Sequence, residues 1–492
     1  MSDGGELRRP FVTSTLPQPK ERDPATFYGR VVVLLVLASI IIVSVIAISI
    51  GKYFDGQQEY LPPQERTVGS REILVSQQLP PSGLVLIALA AIAVIAIVAI
   101  SFEVTAALMS ISPRRRLLSE LRGQDLMTAE PGRRVRVTVL VPAHNEEYSL
   151  PTTLAALAKQ TRPPDRVIVV ADNCTDRTVE IAHEMGHEAF ESVNNVHKKG
   201  GALNQVLAAI LPVAGPQDVI LVMDADTSLG PRYLEVATQR MEADPELAAV
   251  GGVFFGEEGH GVIGQFQRNE YTRYSLQIKS RRGRVFVLTG TATVFRASAL
   301  IDVAAARGVF IPGEPGLVYD TAALTEDNEL TIALKSLGAT MVSPPECYVV
   351  TELMPAWRNL WIQRQRWQRG ALENLAAYGM TRATIRYWGQ QLGIGYGTIA
   401  LNASMLLFLI TIISLDRWIW FPFWIIIGGI FWLERVITSW KGGWRARLLA
   451  ALLLPELCYD IFLQAVFVSC LWDISLGRQA TWGHVQHPAA KT

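Results

Sequence analysis

Two aspartates one residue apart, Asp224 and Asp226, close the stretch DVILVMDADTS. On a strand-end turn such a pair suits a hard divalent cation, Mg2+ or Mn2+, which takes one or two carboxylates together with substrate phosphates. The competing reading is a pair of turn acids that cap a helix. Lys198, Lys199, Gly200 and Gly201 stand just before a helix start, where backbone N–H groups and positive charge favour phosphate, or else they form a solvated basic turn. In TEDNELTIALKSLG, Thr325, Glu326 and Asp327 fall at a helix N-terminus. Capping and dipole pairing account for Thr325; Asp327 is the candidate general base, with Glu326 next in line. In TGTATVFR, Gly290 lies among small residues including Thr291, which fits a floor where a ligand approaches the backbone, or a tight turn.

The ten residues WIQRQRWQRG, Trp361 to Gly370, mix cations with indoles. Gln363, Arg366 and Trp367 are spaced i, i+3 and i+4 and share one helix flank. Trp357, Leu360, Trp361, Ala371, Leu372 and Leu375 form an apolar stripe, as expected of an interfacial helix with an indole belt and solvated arginines. Arg364 falls inside that stripe and is expected to snorkel.

Strand-and-helix alternation must position these groups. RVRVTVLVPAHNEE opens with a β-branched run, Val135 to Val141, of the type buried on both faces. A helix follows, with Ser149 as N-cap and Pro151 in its first turn. DRVIVVADNCTD and DVILVMDADTS repeat the pattern, which predicts a parallel α/β sheet. Ligands on such sheets bind at the carboxyl ends of the strands, and the clusters 142–147, 172–176 and 224–227 all fall there.

The chain has 492 residues, 45 basic and 45 acidic; that balance gives no sign of nucleic acid as a partner. Half the residues are hydrophobic, concentrated in candidate spans at 31–50, 84–100, 392–414, 418–433 and 448–471, each near the ~20 residues a membrane helix needs. The first lies too far from Met1 and is too long for a signal peptide, and is expected to be a retained anchor. Arginines and lysines before the first span and after the second exceed those in the 51–82 loop. By the positive-inside rule the N-terminus and the central domain face the cytoplasm, and five spans put the C-terminal tail outside. The organisation expected is a cytoplasmic tail (1–30), two spans with an extracytoplasmic loop (31–108), a cytoplasmic catalytic domain (109–355), amphipathic interface helices (356–391), about three spans (392–471) and a C-terminal tail (472–492). Glu456 and Asp460 share a face of the last span, and ionisable groups at membrane depth commonly face a polar cavity; this face is expected to line the path of a product, or to lie in the interface. Cys174, Cys347, Cys458 and Cys470 have no metal or disulfide spacing and fit a reducing compartment. HEMGH at 183–187 matches a zinc-protease pattern, but Gly186 reads as a helix end and the match as coincidence.

Taken together, VPAHNEE, ADNCTD, KKGGALN, DAD, TED and QRQRW resemble, in order and rough spacing, the membrane-embedded family 2 glycosyltransferases, among them cellulose, chitin, hyaluronan and poly-N-acetylglucosamine synthases. The resemblance covers about Val135 to Leu375 and the flanking spans. It implies an α/β GT-A (Rossmann-like) catalytic domain inserted between transmembrane helices of the plasma membrane, a UDP-sugar donor and inverting transfer to a growing β-linked polysaccharide or a glycolipid. By motif, Pro142, Ala143, Asn145, Glu147 and Asp172 hold the uridine, Lys199 sits near the pyrophosphate, and Asp224 and Asp226 hold nucleotide and Mg2+ or Mn2+. Asp327 deprotonates the acceptor; Gln363, Arg366 and Trp367 close over the diphosphate; Gly290, Thr291 and Trp367 place the acceptor. One departure is that the second motif's usual paired acids are Ala171 and Asp172 here, leaving one carboxylate. The rival functions are a non-processive transferase adding one sugar to a lipid or protein, and a non-catalytic membrane scaffold of the same fold.

Overall fold

The computed structural model describes residues 62–68, 71–75, 135–215, 217–280, 283, 285–414, 419–420 and 422–478. The two N-terminal candidate spans, the N-terminal tail and residues 479–492 of the C-terminal tail lie outside the described residues. Two short strands, β1 (Gln64–Val68) and β2 (Arg71–Val75), pair antiparallel.

The central layer begins with β3 (Val137–Ala143), α1 (Leu150–Ala158), β4 (Arg166–Ala171), α2 (Thr178–Glu184), β5 (Glu188–Glu191), α3 (Lys198–Ile210) and β6 (Val219–Met223). There follow β7 (Ser228–Leu229), α4 (Tyr233–Ala243), β8 (Leu247–Gly251), β9 (Val253–Gly256), α5 (Gly261–Ser280), β10 (Ala292–Arg296), α6 (Ala297–Ala306), α7 (Glu326–Ser336), β11 (Thr340–Val342) and β12 (Tyr348–Thr351). Seven of these strands form one sheet in the order β11-β8-β10-β6-β3-β4-β5. Side chains alternate between its two faces. Leu140, Ile168, Val170, Ile220 and Val222 pack under α3, α6 and α7, whereas Val139, Val141, Val169, Leu221 and Met223 pack under α1 and α4. Burial on both faces is why these strands read as continuous β-branched runs.

The sheet is mixed, which corrects the expectation of a parallel one. β3, β4, β5 and β6 are parallel, but β10 runs antiparallel to both β6 and β8. The long excursion through α5 returns the chain to the same end of the sheet at which β6 and β8 finish, Ala292 pairing with Met223 and Thr293 with Gly251, and no local pattern in Ala292–Arg296 encodes that direction. A second sheet, β7-β12-β9, stands beside the first. Ser149 occupies the N-cap position of α1 as expected, yet makes no side-chain cap bond to the helix; its hydroxyl donates to the Glu146 carboxylate at 2.5 Å.

After β12 come α8 (Trp357–Tyr378), α9 (Ile385–Ser414), β13 (Ile419–Trp420), α10 (Pro422–Thr438), α11 (Gly443–Ala451) and α12 (Leu454–Ser475). The stretch expected as one last span is two helices: Leu453 takes φ +53 and Pro455 follows in the first turn of α12. Among the described residues, α12 alone is long and apolar enough to cross a membrane. Two further expectations change. Part of the apolar stripe of α8 packs inside protein: Leu372 joins Val466, Phe467 and Cys470 of α12, Leu360 joins Phe266 and Tyr459, and Leu375 joins the main core, whereas Trp357 is 42% exposed. Glu456 does not line an open path. It is 1% exposed and accepts from Asn269 Nδ2 and Arg273 Nη1, both at 2.9 Å, while Asp460 pairs with Arg435 at 2.6 Å. Those carboxylates hold α12 against α5 and α10.

Candidate active site

Strand order reverses between β3 and β6, so the carboxyl ends of these neighbours open a crevice of the kind that takes ligands in α/β sheets. The first wall is the loop after β3, tied to the loop after β4. Asn145, at φ +59, accepts from the Thr175 N–H at 2.7 Å. The Glu147 N–H donates to Asp176 at 3.0 Å and its carboxylate accepts from the Arg177 N–H at 3.3 Å. Ala143 is buried, and its carbonyl accepts from the Asp172 N–H at 2.8 Å; Pro142 pairs with Val170 across the sheet. Asp172 Oδ1 accepts from Ser192 Oγ and Asn195 Nδ2 at 2.7 Å and from Asn173 Nδ2 at 3.1 Å. The single acid of the second motif thus binds the ends of β4 and β5 together.

The centre of the crevice is Lys199, in the first turn of α3 rather than in the turn before it. Its ammonium donates to Asp224 Oδ1 at 2.5 Å and to the Gly290 carbonyl at 3.4 Å, and lies 3.4 Å from Glu326. Burial works against its charge, but Asp224 and Glu326 outweigh burial and raise its pKa. Lys198 precedes it at φ +54; burial and then the like charge of Arg366, on α8, lower the Lys198 pKa.

Asp226 carries the opposite stress. Burial, then the charges of Asp224, Glu146 and Glu352, push its carboxyl up to about 7, against a bond from Thr227. Glu146 belongs to the strand-end cluster 142–147 expected from the sequence, though not as a neighbour of Asp226, and Glu352 follows β12 with no local signal. Among the described residues no group of three or more His, Cys, Asp or Glu forms a ready-made metal cage. The carboxylate crowding around Asp226 nevertheless fits a dication, which would offset the repulsion that now favours a proton.

Asp327 lies in the first turn of α7. Its Oδ2 accepts from the Gly290 N–H at 2.9 Å and its Oδ1 from the Asn328 N–H at 2.7 Å. Burial and then Glu326 raise its carboxyl to about 6, against Lys199 and these two bonds. Glycine at 290 allows the approach, because a Cβ there would stand 3.0 Å from Asp327 Oδ2. Thr291 is held by its carbonyl, which accepts from the Asp224 N–H at 3.0 Å, and by a 2.7 Å bond between its hydroxyl and that of Thr289. Thr325 takes the N-cap position without a side-chain cap bond. Its oxygens instead accept from Asn374 of α8 at 3.2 Å. A Cβ on Gly370 would meet Thr325 Oγ1 at 2.5 Å, so α8 crosses directly over the start of α7. Gln363, Arg366 and Trp367 lie on α8 just before that crossing, each partly exposed.

Arg364 corrects the snorkelling expectation: it is 5% exposed, donates to Glu270 at 2.9 Å and lies 4.3 Å over the Trp367 ring. The HEMGH residues form no zinc-protease helix, since α2 ends at Glu184 and Gly186 takes φ +78.

Residues 133–370 match the family described as "Glycosyltransferase like family 2". Similar curated proteins include a probable glycosyltransferase, YdaM, of Bacillus subtilis, 29% identical over 249 residues, and the poly-beta-1,6-N-acetyl-D-glucosamine synthase of Staphylococcus aureus, 24% identical over 245. The two matches cover 48% and 49% of this chain and 55% of each relative, so the chain spans about half the length of the curated relatives it matches. Among solved structures, a mannosyltransferase, PcManGT, from Pyrobaculum calidifontis in complex with GDP-Man and Mn2+ aligns at 17% identity with a TM-score of 0.48, over 78% of this chain and 99% of its own. Glucosyl-3-phosphoglycerate synthase from Mycobacterium tuberculosis aligns at 17% identity and a TM-score of 0.34, over 50% of this chain and 80% of its own.

Proposed function

We propose that residues 133–370, which match the glycosyltransferase family 2 model and carry a mixed sheet, are a GT-A-like catalytic domain, and that the protein is a membrane-integrated, inverting polysaccharide synthase that uses a UDP-sugar. One observation carries the proposal. A single ammonium, Lys199, joins the strand-end acid Asp224 to Glu326 beside Asp327, so the donor side and the acceptor side of a transfer share one crevice.

In this mechanism an acceptor hydroxyl attacks the anomeric carbon of the donor sugar. The bond from that carbon to the diphosphate breaks, UDP leaves with the electron pair, and the configuration inverts. Asp327 takes the hydroxyl proton; its carboxyl, at about 6, is ionised at neutral pH yet more basic than an ordinary aspartate, which suits a general base. Lys198, Lys199 and Arg366 bring cationic charge to the leaving diphosphate, where preorganised charge stabilises a developing anion. Asp224 and Asp226 are the residues that would hold Mg2+ or Mn2+, and the ion, when bound, shields the diphosphate. Asn145, Glu147 and Asp172 frame the nucleoside end, and Trp367 offers its ring to the terminal acceptor sugar, with Gly290 and Thr291 as the floor.

Membrane integration, the five-span topology with the catalytic domain in the cytoplasm, the division of the chain into tail, spans, domain and interface helices, and processivity belong to the same proposal. They are supported by the apolar segments of the sequence, by α12, and by the likeness to a poly-N-acetylglucosamine synthase. The test is UDP release by purified protein in lipid nanodiscs across a panel of UDP-sugars with Mg2+ or Mn2+. Release with at least one donor, lost in Asp224→Asn, is expected; no release with any donor overturns the assignment.

A further inference from the structure

Arg364 is buried without being part of the crevice, and its contacts point both ways. On one side its guanidinium covers the Trp367 ring at 4.3 Å from the centroid, well inside the ~6 Å reach of a cation–π contact. On the other, Nη2 donates to Glu270 Oε2 at 2.9 Å and Nη1 to Gln363 Oε1 at 3.1 Å. The same Glu270 oxygen accepts from the Tyr459 hydroxyl at 2.7 Å. Tyr459 belongs to α12 and is stacked on Phe266 of α5, with centroids 4.8 Å apart and planes at 3°. Asn269 and Arg273, which flank Glu270 on α5, both bind Glu456 of α12. A continuous set of bonds therefore runs from the one described helix able to cross a membrane, through α5, to the Trp367 ring.

We propose that Arg364 is the positioning residue of Trp367, and that Glu270 and Tyr459 make the ring's orientation depend on the seating of α12. The inference rests on Trp367 serving as the acceptor platform. A half-buried indole on a helix has more than one rotamer open to it, and a planar cation fixed over one face selects among them and leaves the other face for a sugar. The guanidinium can do this because its planar fork meets Glu270 and Gln363 while its face lies on the ring; a lysine ammonium has no such plane. Displacement of α12 relative to α5 loosens Glu270, then Arg364, then the ring, so the seating of the one described helix able to cross a membrane also sets the place where the next sugar is received.

The test reads the ring directly. The full chain is labelled with 5-fluorotryptophan in nanodiscs, and among its 12 tryptophans the Trp367 fluorine signal is assigned by its loss in Trp367→Phe. Arg364→Lys, Glu270→Gln and Tyr459→Phe are compared with the parent. Tyr459→Phe removes one oxygen and keeps the stack on Phe266, so it remains informative where a charge change disturbs folding. The Trp367 signal is expected to shift in all three variants, most in Arg364→Lys. The acceptor KM should rise about 3- to 10-fold, the worth of roughly one hydrogen bond, at constant donor KM. An unmoved Trp367 signal in folded Glu270→Gln and Tyr459→Phe overturns the proposal, as does an equal rise in donor and acceptor KM. A shifted signal in a protein whose parent transfers no sugar supports the positioning network and overturns the glycosyltransfer assignment instead.

Discussion

Asp226→Asn removes the charge that the crevice least tolerates, and the structure gives the size of the effect. The Asp226 carboxyl stands at about 7 against an ordinary 3.8, raised by burial, Asp224, Glu146 and Glu352. A folded-state pKa above the unfolded one means that the group's contribution to stability is fully present below pH ~4 and is lost as pH rises through about 7. At about 1.36 kcal/mol per unit, the loss approaches ~4 kcal/mol when the group is ionised, of which roughly 2–3 kcal/mol falls between pH 5 and pH 8. Asparagine has nearly the same shape and no charge, so metal-free Asp226→Asn should gain on the parent across that interval. At roughly 2–4 °C per kcal/mol for a domain of this size, the gap in Tm should widen by about 5–10 °C, measured by scanning fluorimetry in nanodiscs with chelator. Adding Mn2+ should raise the parent's Tm at pH 8, where the carboxylate is ionised, because a ligand that binds only the folded state stabilises it; it should do far less for the variant. A gap that stays constant or narrows as pH rises would refute the electrostatic argument.

Three further outcomes are expected. Asp327→Asn should cut sugar transfer by ~10²–10⁴-fold with UDP binding retained, as read by calorimetry and product assay. In the parent the transfer rate should fall as pH drops through about 6, where Asp327 takes up its proton. Trp367→Ala should shorten the product while donor hydrolysis persists, seen by product mass and UDP release in one reaction. Glu329→Gln strips the charge from a fully buried pair with Arg307, at 2.5 Å, that also receives the Tyr378 hydroxyl; breaking such a pair costs ~3–5 kcal/mol, visible as an earlier denaturation midpoint.

What the sequence disclosed is what is local. Asp224 and Asp226 end a β-branched run, and Thr325, Glu326 and Asp327 open an amphipathic helix, so a short window placed both sets on their elements. The windows also located α8 and the parallel half of the sheet. The pairings that assemble the crevice join distant parts of the chain and have no local trace. Lys199 meets Asp224 and Glu326 across 25 and 127 positions of sequence. Glu270 meets Arg364 across 94 and Tyr459 across 189. Arg364 was misjudged for that reason: an arginine in an apolar stripe has two solutions, snorkelling or a buried partner, and the partner lies on another helix. Glu456 was misjudged in the same way. The direction of β10 was equally hidden, because an isolated strand carries no record of which neighbour it will meet.

Polymer synthesis from a UDP-sugar is read out by the mass of the product. Purified parent protein in nanodiscs is given the UDP-sugar that supports UDP release, a divalent cation and a trace of acceptor, with acceptor in excess over enzyme, and the products are resolved by mass spectrometry early in the reaction. A processive synthase yields long chains beside unused acceptor, each chain extended by many residues of one hexose mass before a second is begun. Acceptors that each carry one added sugar would contradict it and make the protein a single-addition transferase.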